Sequence, residues 1–158
     1  MNDVPVTGER AARFTFRCPM RWSDMDAYGH VNNTRFLTYL EEARIEMFQE
    51  LAERARGEDG LLSTGVLVAR HEIRYLRPLV HRTEPVPIDV WVTKIGGASF
   101  DVGYEVHDDE GAVVYARAAS TMVPYDFVNE RPRRLRPHER EFLQRHLDPT
   151  DPMARKAR

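Results

Sequence analysis

A single broad helical stripe is followed in this chain by nothing but strand-like runs, and few folds accommodate that order. Phe36, Leu40, Ala43, Met47 and Leu51 recur at helical spacing, and Leu37 and Phe48 widen the apolar face to the breadth of a long helix lying on a sheet. The spacing predicts a helix from about Asn33 to about Arg56, stopped by Gly57, Glu58, Asp59 and Gly60. Before it, Phe14, Phe16, Cys18 and Met20 alternate with polar residues at the period of a half-buried strand. After it come four further strand runs, starting V-L-V-A-R, V-P-I-D-V, S-F-D-V-G and A-V-V-Y-A. Arg77-Pro78, Gly96-Gly97 and Asp108-Asp109-Glu110-Gly111 separate them, and the last three are expected to form an antiparallel meander. The fold class is therefore α+β, with the sheet curling around one helix to bury its face. One helix leaves strands uncovered, so dimerisation by sheet extension is expected.

The chain of 158 residues, 42% hydrophobic, suits one domain with its own core. That domain is placed at 12–146, with a flexible N-terminus at 1–11 and a flexible basic tail at 147–158. A short helix is expected in H-E-R-E-F-L-Q-R-H-L, after a Pro/Arg-rich loop. From Arg131 onward nine basic residues face four acidic ones, whereas the first 130 residues carry fourteen and twenty-one. The net charge of −2 gives no basic field for nucleic acid. Cys18 is the single cysteine, so no intrachain disulfide and no Cys/His metal cluster is expected. No signal-like apolar segment and no membrane span is read, which points to a soluble, cytoplasmic protein. Nucleophile elbows, P-loops, dinucleotide fingerprints and H-E-x-x-H are absent from the sequence.

The chemistry is concentrated where the first strand gives way to the helix, in R-W-S-D-M-D-A-Y-G-H-V-N-N. Asp24 and Asp26 are carboxylates one residue apart, and Asp24 reads as a loop cap that binds backbone N–H groups. Gly29 supplies a positive φ and close approach of a substrate. Asn32 or Asn33 is the N-cap. His30 lies within loop hydrogen-bonding range of Asp26, either as a structural tie or to orient it. Free N–H groups at a helix N-terminus suit a developing negative charge.

The pattern D-x-D-x-x-G-H-V-N-N, then F-L-x-Y-L-E-E-A-R, R-Y-L-R-P and G-G-x-S, resembles the hotdog-fold acyl-CoA thioesterases, in particular the 4-hydroxybenzoyl-CoA thioesterase-like group. H-V-N-N is also similar to long-chain acyl-CoA thioesterases and acyl-ACP thioesterases. The resemblance covers roughly residues 12 to 145. It implies a hotdog fold, a long central helix wrapped by a curved antiparallel five-stranded sheet, and a homodimer or homotetramer with sites at the dimer interface. It further implies an acyl-CoA partner, possibly acyl carrier protein, and no cofactor, coenzyme A being part of the substrate.

Carried over residue by residue, the resemblance makes Asp26 the catalytic carboxylate, as nucleophile or as general base. The amide of Asn33 or a close neighbour becomes the oxyanion donor, and His30 takes a catalytic part. Tyr28, Gly29 and Val31 would approach the substrate, and Phe36, Tyr39 and Leu40 would line an acyl pocket. Glu41, Glu42 and Arg44 read as a solvated or intersubunit salt-bridged face. Lys94, Arg131, Arg133 and Arg134 are candidates for the coenzyme's phosphates. Ser99 would contact substrate or bond the Gly-Gly turn. A non-catalytic hotdog module and an acyl-ACP thioesterase are the alternatives, and a hotdog dehydratase would space aspartate and histidine more widely than Asp26 and His30.

Overall fold

The computed structural model describes residues 12–54 and 65–154, the side chains of residues 51–54 excepted. The expected glycine stop at 57–60 lies outside the described residues. Strand β1 (Phe14–Cys18) leads through a short 3-10 turn at Trp22–Asp24 into helix α1 (Asn33–Arg54). Then follow β2 (Val66–Tyr75), β3 (Val86–Ile95), β4 (Phe100–His107), β5 (Val114–Asp126), β6 (Arg131–Pro132) and α2 (Pro137–Arg145).

Every strand pairing is antiparallel, in the order β1-β3-β4-β5-β2, with β6 added against the end of β5. The expected five-stranded sheet therefore gains a sixth, two-residue strand, formed where the Pro/Arg-rich loop turns back on Tyr125 and Asp126. The meander β3-β4-β5 is as expected. Because β1 and β2 occupy opposite edges, α1 must cross between them, and the chain must return from β2 to β3 past the start of the helix. That return path builds the site.

The apolar face of α1 enters the core through Phe36, Leu40, Ala43, Met47 and Phe48, all buried, beside Val90, Val92, Val102 and Tyr104 from the sheet. Two expectations for this helix fail. Leu37 is exposed, because it sits at the border of the stripe. Arg44 is buried and donates to the Tyr104 hydroxyl at 3.1 Å rather than joining a solvated face, while Glu41 stays exposed and 3.8 Å from it. An arginine's long apolar stem makes that burial tolerable once the guanidinium finds a partner.

Strand β3 is buried on both faces, which its near-continuous apolar run V-P-I-D-V-W-V already demands. Its outer face is covered by the segment expected to be a flexible tail. After α2, Val92 N–H donates to the His146 carbonyl at 2.8 Å and Asp148 N–H to the Val92 carbonyl at 2.9 Å, so this segment pairs with β3 just beyond the start of β1. Trp91 Nε1 donates to the Thr150 carbonyl at 3.0 Å, and Arg13 lies over the Trp91 ring at 3.8 Å while pairing with the buried Asp148 at 2.9 Å. Residues 147–154 are thus a packed strap, and only 155–158 of that tail lie outside the described residues.

Candidate active site

The loop between β1 and α1 is built by its two aspartates, which make unlike bonds. Asp24 is buried, and its Oδ2 accepts from the Tyr39 hydroxyl at 2.7 Å and the Arg21 amide at 3.2 Å. Its carbonyl accepts from Asn32 N–H at 2.8 Å, which ties the loop's end to its beginning. Burial pushes the Asp24 carboxyl up, but the Tyr39 hydroxyl and the amide and guanidinium of Arg21 outweigh it and hold the group below its ordinary value. Asp24 is an anchor, as its reading as a loop cap anticipates.

Asp26 is only half-buried. Its Oδ1 accepts from Tyr28 N–H at 2.9 Å and from His30 N–H at 3.3 Å, and Oδ2 takes no bond from the described residues. Gly29, at φ +77°, closes this turn with its N–H on the Asp26 carbonyl at 3.1 Å, the left-handed geometry expected of it. His30 ties Asp26 through its backbone amide, so the loop bond to the carboxylate exists but the imidazole does not make it.

Asn32 is the N-cap: its Oδ1 accepts from Thr34 N–H at 3.0 Å. Asn33 therefore opens α1 with an N–H that bonds to no described residue, while its carbonyl accepts from the Tyr75 hydroxyl at 2.9 Å. The return path from β2 runs alongside, with Val31 N–H on the Leu79 carbonyl at 2.8 Å and His30 bridged to Val80.

Between the loop and the return path lies a cleft of about 320 Å³. Asp26, His30, Val31, Asn33 and Phe36 line one side, Tyr75 to Leu79 the other. The rings of Phe36 and Tyr75 meet edge to face at 5.4 Å, giving it an apolar end. One carboxylate with a free oxygen, one unbonded helix-terminal N–H and an apolar end are the parts needed to attack and polarise a carbonyl.

A model of the thioesterase-like superfamily matches residues 20–145. The chain belongs to that superfamily. A thioesterase from Thermus thermophilus, solved in complex with coenzyme A and zinc, is 31% identical with a TM-score of 0.68, covering 82% of this chain and 90% of its own. A predicted thioesterase from Bacillus stearothermophilus is 24% identical with a TM-score of 0.75, covering 88% and 99%, which is a likeness of fold. An uncharacterized Bacillus subtilis protein, YsmA, is 29% identical over 118 residues, 73% of this chain and 76% of that protein. The long helix packed on an antiparallel sheet is the hotdog architecture of this superfamily.

Of the expected site residues, the structure brings Asp26, His30, Val31, Asn33 and Phe36 into the cleft. Tyr28 and Gly29 lie beside it, with the Tyr28 side chain 84% exposed. Tyr39 and Leu40 do not line it: both are buried, and the Tyr39 hydroxyl is held by Asp24. The expected phosphate contacts stand apart from the cleft. Arg133 is paired with the buried Glu139 by two bonds of 2.7 and 2.9 Å. Arg134 lies over Gly97, Arg131 belongs to β6, and Lys94 is exposed at the end of β3. The Ser99 carbonyl accepts from Gly96 N–H at 2.8 Å, so this residue bonds the turn. Tyr75, Leu76, Arg77, Pro78 and Leu79 line the cleft without having been expected there. They are the R-Y-L-R-P segment and its successor, read in the sequence only as a family mark and a strand end.

No described helix is long and apolar enough to cross a membrane. Among the described residues, no three His, Cys, Asp or Glu side chains are grouped to hold a metal ion.

Proposed function

We propose that this protein is an acyl-CoA thioesterase, hydrolysing an acyl-CoA to a free carboxylic acid and coenzyme A. The observation that carries the proposal is the pairing, in one cleft, of the Asp26 carboxylate, fixed by two amides, with the unbonded N–H at the start of α1. The family and its coenzyme A-bound relative support the substrate class.

In this reading the thioester carbonyl points its oxygen at Asn33 N–H, where the helix dipole and the unpaired donor stabilise the oxyanion. Asp26 acts through its free oxygen in one of two ways. As general base it takes a proton from water, the hydroxide adds to the carbonyl carbon, the C–S bond breaks, and the proton passes to the departing thiolate. As nucleophile it adds to the carbonyl carbon itself, expels the thiolate, and leaves an anhydride that water opens. Phe36 and Tyr75 receive the first part of the acyl group, and the chemistry uses no cofactor.

A dimer is part of the same proposal. Strand β2 is an edge with Leu67, Val68 and Tyr75 exposed, followed by the exposed Leu76, the surface that pairing with a second copy would cover, and it runs directly into the cleft. The test is a chain-length series of acyl-CoAs, with acyl carrier protein thioesters beside them, on wild type and Asp26→Ala. Hydrolysis that depends on Asp26 is expected. Full activity of the variant across the series would remove Asp26 from the chemistry.

A further inference from the structure

We propose that Arg77 reads an anionic oxygen of the substrate, a carboxylate on the acyl group or a phosphate of the coenzyme, at the rim of the Asp26 cleft. The inference rests on the reading of that cleft as a thioester site and adds to it a determinant of which thioester enters.

Among the described residues lining the cleft, Asp26 is the one carboxylate and Arg77 the one guanidinium. Arg77 has no acidic partner among the described residues. Its neighbours in the fold are committed: Arg74 donates to the Met153 carbonyl at 3.2 Å, Arg117 pairs with Glu105 at 3.0 Å, and Arg82 pairs with Asp109 at 3.2 Å. An uncommitted guanidinium beside a cleft keeps its whole fork of donors for a ligand, and that fork fits the paired oxygens of carboxylate and phosphate.

The backbone that carries Arg77 is fixed from both sides. Leu76 and Arg77 N–H donate to the same Tyr115 carbonyl at 2.8 and 3.1 Å. Pro78 follows, and the Leu79 carbonyl holds Val31 N–H at the base of the catalytic loop. The residue is therefore held in constant register with Asp26 while its side chain stays exposed. It also borders a second depression of about 530 Å³ reaching Ala112, Val114 and Arg117. A ligand leaving the cleft along that course passes the guanidinium whichever of its ends is charged.

Three probes that cannot be hydrolysed separate the sources of charge: S-butyl-pantetheine with neither anion, S-butyl-CoA with the phosphates, and S-carboxypropyl-pantetheine with a carboxylate alone. Calorimetric Kd values are measured on wild type, Arg77→Gln and Arg77→Lys. Arg77→Gln is expected to weaken one charged probe by about tenfold relative to the neutral probe, with Arg77→Lys intermediate, because a hydrogen bond to a charged group is worth roughly that factor. The probe affected identifies the source. An unchanged ratio of charged to neutral affinity, or failure of wild type to bind either charged probe, overturns the inference. Because no probe turns over, Arg77-dependent binding in a protein that hydrolyses nothing would sink the thioesterase reading and leave this one standing.

Discussion

Asp24 and Asp26 differ by one position and by almost everything else. The first carboxylate is buried, with Oδ2 held by the Tyr39 hydroxyl and the Arg21 amide and Oδ1 3.3 Å from the Arg21 guanidinium, which together lower its proton affinity; the second is half-buried and bonded through one oxygen alone. Removing the Tyr39 hydroxyl, as in Tyr39→Phe, strips a 2.7 Å bond from a buried carboxylate and should cost about 1–3 kcal/mol of stability. The pH dependence follows in sign. Because the folded Asp24 is held below its ordinary value of about 3.9, its contribution is fully present above that pH and is lost as pH falls through the lower folded value. Urea melts of wild type and Tyr39→Phe should therefore differ at neutral pH and converge in acid. A difference that persists at the lowest pH would assign the stability to packing rather than to the carboxylate. That Asp24 caps the loop was legible in the motif, and the structure gives the two aspartates different surroundings, one buried and one half-buried. What the motif did not carry was direction: neither the backbone origin of the His30 contact nor the inward turn of Tyr39 follows from residue type.

At the scale of elements, the legible parts were those with a strong period. The helix begins at Asn33 and the β3 span matches the apolar run, because period and turn chemistry agree there. The strap at 147–154 was not legible: L-D-P-T-D-P-M is polar and proline-rich, and its order comes from Trp91, whose outward face must be covered by something distant in sequence. Deleting residues 148–158 should uncover the Trp91 ring and leave its N–H without the Thr150 carbonyl. The expected result is a red shift of tryptophan emission in a Trp22→Phe background and a loss of about 1–3 kcal/mol in denaturant melts. Unchanged emission would mean that the strap does not shield the ring.

At the scale of the whole molecule, the strand order places an exposed edge next to the cleft, so the proposed dimer would tie assembly to the proposed activity. Val68→Lys on β2 introduces a charge on the proposed pairing surface, and sedimentation should report a shift from dimer to monomer together with a loss of activity. A wild-type protein that sediments as a monomer and is active would separate the two. The α+β class was readable from one helix among strands, and the hotdog arrangement from the resemblance carried by D-x-D-x-x-G-H-V-N-N, but the cleft's second wall was not, because Tyr75 to Leu79 approach the loop only once β2 has reached the far edge and the chain has returned. The central claim is that Asp26 performs thioester hydrolysis in that cleft, and kcat/KM of wild type and Asp26→Asn on acyl-CoA, measured with their thermal melts, tests it most directly. A loss of about 10²–10⁴-fold in kcat/KM at unchanged melting temperature is expected of Asp26→Asn; equal activity of the two proteins would remove Asp26 from the chemistry.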